Sequence, residues 1–189
     1  MIRPEAPLVG RIVRVEPLEE RHREGVRAAA ADADVFRYMQ SVADFDGWFG
    51  AALAGPDVAF AVLAGGREVG STRYLAYEPE HKRVEIGWTW LAREAWGTGA
   101  NSETKYLLMR HAFESCGLQR VEFKTHARNE RARGALLGIG AQFEGIFRKH
   151  MILPSGIRDS AWYAVVDDDW PEVKSRLEER IAAQAIGQE

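Results

Sequence analysis

The stretch that decides the fold is R-E-A-W-G-T-G-A-N-S, residues 93–102, which runs from a strand-like segment directly into a helix-like one. Before it, the sequence V-E-I-G-W-T-W-L of residues 84–91 alternates with the period of a strand and places large apolar side chains at 84, 86, 88 and 90. After it, apolar residues recur at helical spacing over residues 100–116. This order of strand, loop and helix gathers free backbone N–H groups at the start of the helix.

The loop has the features of an anion-binding turn. Gly97 and Gly99 can adopt backbone angles closed to other residues and let a ligand approach the main chain. We expect Asn101 or Ser102 to cap the first helical turn and Gly117 to end the helix. The first helical amides have no internal acceptor, so the loop suits a phosphate or pyrophosphate. A glycine pair between a strand and a helix is also ordinary turn chemistry, and the loop alone leaves both interpretations open.

Two other nucleotide-binding loops are disfavoured by the residues at these positions. A P-loop ends in Gly-Lys-Ser/Thr, whereas Gly99 is followed here by Ala100 and Asn101. The dinucleotide fingerprint G-x-G-x-x-G requires a third glycine where Ser102 stands.

Composition bounds the class of protein. The 189 residues predict a single domain over residues 1–189, and a hydrophobic fraction of 46% with six tryptophans supplies a core. A formal net charge of -3 argues against nucleic acid as a partner. The five histidines form no metal-ligand pattern, so no metal site is expected.

The chain also carries signals about its compartment. A single cysteine, Cys116, excludes an internal disulfide, and its place on an apolar helical face predicts a buried thiol rather than a nucleophile. The N-terminus lacks the apolar core of a signal peptide, and no apolar run approaches the length of a membrane span. We therefore expect a cytoplasmic protein with no membrane partner.

The rest of the chain predicts an α+β domain. Its sheet is expected to be mixed and mostly antiparallel, flanked by helices, with a central parallel pair on either side of the helix at residues 100–116. Tight turns are predicted at the Gly65–Gly66 pair and at Pro154-Ser155-Gly156. Predicted strands cover residues 11–15, 58–63, 68–77, 84–91, 120–125, 142–153 and 158–166. Predicted helical segments cover residues 18–30, 35–39, 45–53, 100–116 and 129–137, and a final helix begins at Trp170.

This order of elements and several motifs together resemble the GNAT family of N-acetyltransferases, in its RimJ/RimL-like branch, over nearly the whole chain. In that family the loop has a form close to Q/R-x-x-G-x-G/A. The matching register here is Trp96 to Asn101, in which only Gly99 agrees strictly. The motifs are G-R-x-V-R-x-E-P-L at 10–18, V-G-S-T-R-Y at 69–74, V-E-I-G-W-T-W-L at 84–91, W-G-T-G-A-N-S-E-T-K at 96–105, A-R-N-E-R at 127–131 and G-A-x-x-E-G-x-x-R-K-H at 140–150.

The resemblance implies acetyl-CoA as the acyl donor, bound where the two parallel strands splay apart. It also implies that Asn129 contacts the pantetheine arm, although the same residue fits a helix cap. A homodimer is common among relatives. The residues implied for the pantetheine are Trp88, Thr89, Trp90 and Leu91, and those implied for the pyrophosphate loop and first helical turn are Trp96, Gly97, Thr98, Gly99, Ala100, Asn101 and Ser102.

Glu85 is the predicted catalytic base, acting directly or through a water. It lies opposite the apolar face of its strand, Gly87 leaves room on the same side, and family analogy places a glutamate on this strand. The alternative is a carboxylate paired with Arg73 or another arginine of the sheet. Backbone N–H groups near Trp90 are candidates to polarise the thioester carbonyl. The group that protonates the departing thiolate is unassigned, because Leu136 stands where the family carries a tyrosine. Ser102 or water could supply the proton, or the thiolate could leave as the anion.

The acceptor is expected to be a primary amine, either a protein N-terminus or a small molecule. Tyr38 and Trp48 are candidate walls of its pocket, with core packing as the alternative. Four arginines have the charge to meet an acidic acceptor, but each is expected to be solvated or paired. They are Arg14, Arg73, Arg120 and Arg148.

The sequence thus predicts an acetyl-CoA-dependent N-acetyltransferase that acts by direct attack of the amine on the thioester. Two alternatives stay open: an acyl-CoA-binding protein that has lost turnover, and an acyltransferase that uses a larger acyl group.

Overall fold

The structure, a computed structural model, describes residues 2–39, 42–153 and 155–186. The strands are β1 (Leu8–Val9), β2 (Val13–Pro17), β3 (Val58–Ala64), β4 (Arg67–Glu78), β5 (Arg83–Leu91), β6 (Arg120–His126), β7 (Gln142–Leu153) and β8 (Gly156–Val166). The helices are α1 (Arg23–Ala29), α2 (Phe45–Ala54), α3 (Ala100–Arg110), α4 (Glu130–Gly138) and α5 (Trp170–Ile186), and short 3-10 turns cover Glu20–His22, Ala33–Phe36, Pro79–His81 and Arg93–Ala95.

The strands form one sheet in the order β1-β2-β3-β4-β5-β6-β8-β7. Among the described residues, β5 and β6 are the one parallel pair, and α3 makes the crossover between them. This arrangement confirms the predicted α+β fold with a mixed, mostly antiparallel sheet. The hairpin between β3 and β4 turns at Gly65 and Gly66, whose φ angles of 56° and 77° suit glycine. Of the turn predicted between β7 and β8, Pro154 lies outside the described residues.

The start of β2 differs from the predicted strand at residues 11–15. Glu103 of α3 accepts hydrogen bonds from the backbone N–H groups of Arg11, Ile12 and Val13, at 2.8, 2.6 and 2.6 Å. These bonds hold Arg11 and Ile12 outside the sheet, so pairing with β3 begins at Val13. A carboxylate on a distant helix therefore sets this boundary, which local alternation does not show.

β5 is interrupted by a β-bulge at Trp88. On β4 the pairing advances from Arg73 to Ser71, whereas on β5 it advances from Gly87 to Trp90. Two residues of β5 thus face one of β4, and Trp88 adopts a φ of 49°. A left-handed backbone at an aromatic residue is rare and strained, and such strain tends to occur at functional sites.

The bulge reverses the alternation of β5. Val84 and Ile86 face the core on the side of α3, but Trp90 faces the core on the side of α2, and Trp88 packs against that second core as well. The prediction that residues 84, 86, 88 and 90 share one face is therefore wrong beyond Ile86. The extra residue shifts every later side chain to the opposite side of the sheet.

Helices cover both faces of the sheet. On one face α3 and α5 pack together, and the ring of Trp170 lies 6.2 Å from that of Tyr106 and 5.2 Å from that of Phe113. The predicted apolar stripe of α5 is confirmed, since Trp170, Val173, Leu177 and Ile181 are all buried. On the other face α1 and α2 cover β3 and part of β5.

α3 begins at Ala100, as predicted, but its cap differs from the prediction. Gly99 is its N-cap, with a φ of 89°, so the expectation that Asn101 or Ser102 caps the helix is wrong. The left-handed backbone at Gly99 makes the sharp entry that a side-chain cap would otherwise stabilise. A wider helical turn at His111–Ser115 follows α3, and Gly117, with a φ of 62°, ends it as predicted.

Candidate active site

A cavity of about 520 Å³ lies where β5 and β6 separate. The two strands pair only from Arg83 to Glu85 of β5 and from Arg120 to Glu122 of β6. Beyond Glu85, the backbone groups of β5 on the β6 side have no partner on β6. Buried backbone groups require partners, so this edge of the strand is suited to hydrogen-bond a ligand.

The cavity extends along β5 and has two ends. The loop end is formed by Gly97, Gly99, Asn101, Ser102, Arg180 and Gln184, and the inner end by Tyr38, Leu75, Glu85, Lys124, Met151 and Arg158. Between them, β5 rises by roughly 15–20 Å from Glu85 to Leu91. The predicted pantetheine residues Trp88, Thr89, Trp90 and Leu91 all line this middle part.

The loop end has the character of an anion site. The first hydrogen bond inside α3 runs from the Glu103 N–H to the Gly99 carbonyl, at 2.9 Å. The amides of the preceding residues therefore come before the intrahelical ladder, at the positive end of an 11-residue helix. Thr98 and Ala100 do not line the cavity: the Thr98 hydroxyl donates to the Ala95 carbonyl at 2.8 Å and accepts from the Ala100 N–H at 3.3 Å.

Trp96 ties this loop to the end of β5. Its indole N–H donates to the Leu91 carbonyl at 2.8 Å. The Arg131 guanidinium carbon lies 3.5 Å from the centre of the Trp96 ring, and that of Arg93 lies 5.0 Å from it. The tryptophan at this unusual position therefore holds an arginine over the loop end by a cation–π contact. Arg131 lines the cavity. Its contact with Trp96 was not predicted from the sequence.

Asn129 caps α4. Its side-chain oxygen accepts a hydrogen bond from the Ala132 N–H at 3.1 Å, which confirms the helix-cap interpretation. The residue also lines the cavity, so its contact with the pantetheine stays a prediction. Leu136, which stands where relatives carry a tyrosine, lines the cavity and offers no proton.

Glu85 is buried at the inner end, with 2% of its surface exposed. One carboxylate oxygen, Oε2, accepts a hydrogen bond from the Lys124 ammonium at 2.7 Å. Burial raises the pKa of the Glu85 carboxyl above its ordinary value, and the neighbouring Lys124 charge partly opposes this rise. A Cβ at Gly87 would lie 2.6 Å from Oε1, which confirms that Gly87 leaves the space that the carboxylate fills.

The ion-pair partner of Glu85 is not the arginine considered from the sequence. Arg73 instead lies over the rings of Trp48 and Trp88, at 5.5 and 5.0 Å, and 3.9 Å from Asp57. Lys124 was not anticipated, because its proximity to Glu85 depends on the parallel register of two strands that lie far apart in sequence.

Two further buried cations line the cavity and were also missed. Arg158 of β8 is 8% exposed, and its Nε donates to the Ser160 hydroxyl at 3.0 Å. Lys105 of α3 is buried, and its ammonium donates to the Thr89 hydroxyl at 3.3 Å. Burial lowers the pKa of Lys105 to about 8. Only the chemical type of such side chains, and not their burial, is visible in the sequence.

The two candidate acceptor-pocket residues are in different places. Tyr38 lines the inner end, and its ring lies 5.3 Å from that of His126 in an edge-on contact. Trp48 is not among the residues that line the cavity. It is buried behind the cavity wall, with its ring 5.8 Å from that of Trp90.

Two absences hold for the described residues. Over residues 2–39, 42–153 and 155–186 no helix combines the length and apolar character needed to cross a membrane. The same part of the chain contains no group of three His, Cys, Asp or Glu side chains placed to hold a metal ion.

Comparison with known proteins agrees with this fold. Residues 13–142 match the family model described as the acetyltransferase (GNAT) domain. This match covers more than half of the chain, and the chain therefore belongs to the GNAT family of acetyltransferases. The uncharacterized N-acetyltransferase YoaA of Bacillus subtilis (strain 168) is 30% identical over 98 residues, which are 52% of this chain. The chain spans about half of that curated relative, 55% of its length.

Solved structures of acetyltransferases are similar to this fold over nearly the whole chain. A proposed acetyltransferase from T. thermophilus is 40% identical, with a TM-score of 0.87 over 96% of this chain and 100% of that one. A GCN5-related N-acetyltransferase from Brucella melitensis is 29% identical, with a TM-score of 0.88 over 94% and 86%. Mycobacterium smegmatis RimJ in complex with CoA-disulfide is 19% identical, with a TM-score of 0.77 over 93% of both chains, and shares the fold.

Proposed function

We propose that this protein is an acetyl-CoA-dependent N-acetyltransferase of the RimJ/RimL-like branch, which transfers the acetyl group to a primary amine by direct attack. The observation that carries the proposal is the buried carboxylate of Glu85 in the same cavity as the N-terminus of α3. A proton acceptor and an anion site are the two features that this reaction requires of the protein.

The residues of the loop end fit coenzyme A. The amides of Gly97, Gly99, Asn101 and Ser102 and the positive end of α3 suit its pyrophosphate, and the Arg131 guanidinium adds charge. The buried side-chain oxygen of Gln184 has no hydrogen-bond partner among the described residues, and it lies beside Gly99 at the cavity. An orphaned buried polar atom of this kind is expected where a bound molecule supplies the partner.

The middle of the cavity fits the pantetheine arm. The β5 edge from Trp88 to Leu91 offers backbone groups that β6 does not use. Asn129 lies across the cavity on α4. Bound acetyl-CoA supplies the acetyl group on a thioester, so that attack by the amine forms the N–C bond, breaks the C–S bond and releases coenzyme A. N–H groups of β5 near Trp90 would stabilise the oxyanion.

Glu85 would remove the proton. Most amines are ammonium ions at neutral pH, and nitrogen attacks only after it has lost a proton. Burial raises the pKa of Glu85 and brings it closer to working pH, which strengthens it as a base. Lys124 limits that rise in pKa and favours the ionised form of the carboxylate.

Lys105 is our candidate source of the proton that the departing thiolate takes up. It reaches from α3 to Thr89 on the cavity wall, and its pKa of about 8 lies close to that of a thiol. It would therefore hold a proton at neutral pH and release it at little cost.

Two measurements on the wild-type protein test this function. Acetyl-CoA at about 100 times its dissociation constant should stabilise the fold by about 2.7 kcal/mol, seen as a rise in melting temperature. A panel of primary amines should then release free coenzyme A in a thiol assay. If acetyl-CoA binds but no amine causes release of coenzyme A, the acyl-CoA-binding alternative is favoured. If coenzyme A is released only from acyl-CoA with a longer chain, the alternative with a larger acyl group is favoured. A flat melting temperature at millimolar acetyl-CoA would contradict the proposal.

A further inference from the structure

We infer that the acceptor amine carries a carboxylate a few bonds from its nitrogen, and that Arg158, supported by Lys124, binds this carboxylate at the inner end of the cavity. The inference rests on the proposed function and narrows its substrate class to amino acid-like amines.

Arg158 is a buried cation that forms no ion pair with a described carboxylate. It is 8% exposed and lines the cavity. Among the described residues, its guanidinium makes one hydrogen bond, from Nε to the neutral hydroxyl of Ser160, and no described carboxylate lies within ion-pair distance of it. Burying an uncompensated guanidinium is costly, so a site that retains one is suited to an anionic ligand. Burial lowers the pKa of Arg158, and the Glu85 charge opposes this shift.

Other arginines of the sheet are paired or exposed. Arg14 forms an ion pair with Glu16, and Arg120 forms ion pairs with Glu122 and Glu144. Arg148 is exposed on β7. Arg158 thus differs from the arginines considered from the sequence, because it is enclosed and has no carboxylate partner in the part of the chain that the structure describes.

The register of the sheet brings Arg158 to the face that carries the base. Glu85 pairs with Glu122, two residues before Lys124 on β6, so Glu85 and Lys124 share a face. Lys124 pairs with Trp162 of β8, and Arg158 lies four residues away on the same strand, again on that face. The proton acceptor and the unpaired cation therefore lie on one wall of the inner end.

The charge of this end favours one carboxylate. Glu85 contributes one negative charge, and Lys124 and Arg158 contribute two positive charges. A simple ammonium ion would raise the net charge of this end from one positive charge to two, whereas an ammonium ion that also carries a carboxylate adds no net charge and offers its carboxylate to the guanidinium. Tyr38, Leu75 and Met151 give this end apolar walls, which suit a small organic group beside the anion.

The test on the wild-type protein compares amines that differ only in the carboxylate. Free amino acids should be acetylated with a kcat/KM at least about tenfold above that of the corresponding amino acid amides, since leaving a buried cation unpaired is penalised. Peptides with N-terminal glutamate or glutamine serve as a second pair and distinguish a side-chain carboxylate from an α-carboxylate.

Variants at residue 158 test whether Arg158 causes the preference for acceptors that carry a carboxylate. R158Q should remove the preference by raising KM for the free amino acid, while acetyl-CoA affinity and melting temperature report that the fold is kept. R158K should retain part of the preference. R148Q removes an exposed arginine and should leave it unchanged.

A binding measurement separates this inference from the proposed function. N-acetyl amino acids, the expected products, should bind the wild-type protein in calorimetry and bind R158Q at least about tenfold more weakly. Acetylation of amines with no preference for a carboxylate, or equal product binding by both proteins, would overturn the inference and leave the proposed function intact. Product binding that depends on Arg158 without acetylation of any amine would instead contradict the proposed function.

Discussion

The ammonium of Lys124 lies 2.7 Å from the carboxylate of Glu85, on neighbouring parallel strands at the point where those strands begin to separate. The carboxylate is buried, and the lysine supplies its one ion pair within 4.0 Å among the described residues. The two largest effects on the pKa of Glu85 therefore oppose each other: burial raises it, and Lys124 lowers it. This balance governs when Glu85 can accept a proton.

Replacing Lys124 with methionine should move the acidic limb of the pH–rate profile to higher pH. The substitution removes the charge that lowers the pKa of Glu85, so the pKa rises further. A base acts only when ionised, and its activity is lost as pH falls through its pKa, so the loss would begin at a higher pH. The measurement is kcat/KM for acetyl transfer from pH 5 to 9. An unmoved limb would show that Glu85 is not the group whose ionisation is observed.

Replacing Gly87 with alanine should displace the Glu85 carboxylate. The new Cβ would lie 2.6 Å from Glu85 Oε1 and 2.6 Å from Leu75 Cδ1, so one of the two side chains must shift. Misplacing a catalytic group by about 1 Å costs on the order of 100-fold in rate. We expect a loss of this order in kcat, with acetyl-CoA affinity retained.

The matched control for that substitution is Gly134→Ala in α4. No atom lies within 4 Å of a Cβ built at Gly134, and alanine is the better helix former, by about 0.5–1 kcal/mol. G134A should therefore keep its activity and unfold at a slightly higher temperature. Equal activities of the two variants would argue against a defined position for Glu85.

Replacing Lys105 with methionine should stabilise the protein and impair turnover. The folded pKa of about 8 lies below the ordinary lysine value of about 10.4, so at pH 7 the buried charge destabilises the fold by on the order of 3 kcal/mol. Between these two pKa values the unfolded chain binds more protons, so wild-type stability gains from this group as pH rises through that window. K105M should show a higher free energy of unfolding at pH 7, and the difference from wild type should shrink towards pH 10. A less stable variant at pH 7 would contradict the burial of a charged ammonium.

The fold was predictable where the signals are local. The Gly65–Gly66 turn, the stop at Gly117 and the apolar stripe of α5 each depend on a few neighbouring residues, and the structure agrees with all three. The bulge at Trp88 was not predictable, because tryptophan is common in strands and nothing nearby marks an inserted residue. The start of β2 was misplaced because Glu103, which holds the preceding amides, is about 90 residues away.

The candidate active site was likewise predictable where the signal is local in the sequence. Glu85 and the loop glycines stand in motifs that resemble a family, and all of them line one cavity. Lys124 and Arg158 stand in strands whose sequence looks like ordinary polar alternation, and Lys105 is one of several polar residues in the first turns of α3. Only the register of β6 and β8 and the packing of α3 bring the three to the same cavity. Trp48 shows the converse, since an aromatic in the right segment packs behind the cavity wall.

The measurement that tests the central claim most directly is acetyl transfer by Glu85→Gln with acetyl-CoA binding measured on the same protein. The amide has the shape of the carboxylate and cannot accept the proton, so kcat should fall by about 10²–10⁴-fold while acetyl-CoA affinity is retained. Glu144→Gln, at an exposed carboxylate paired with Arg120, is the control and should behave as wild type. Wild-type kcat in E85Q, with acetyl-CoA bound normally, would contradict the account.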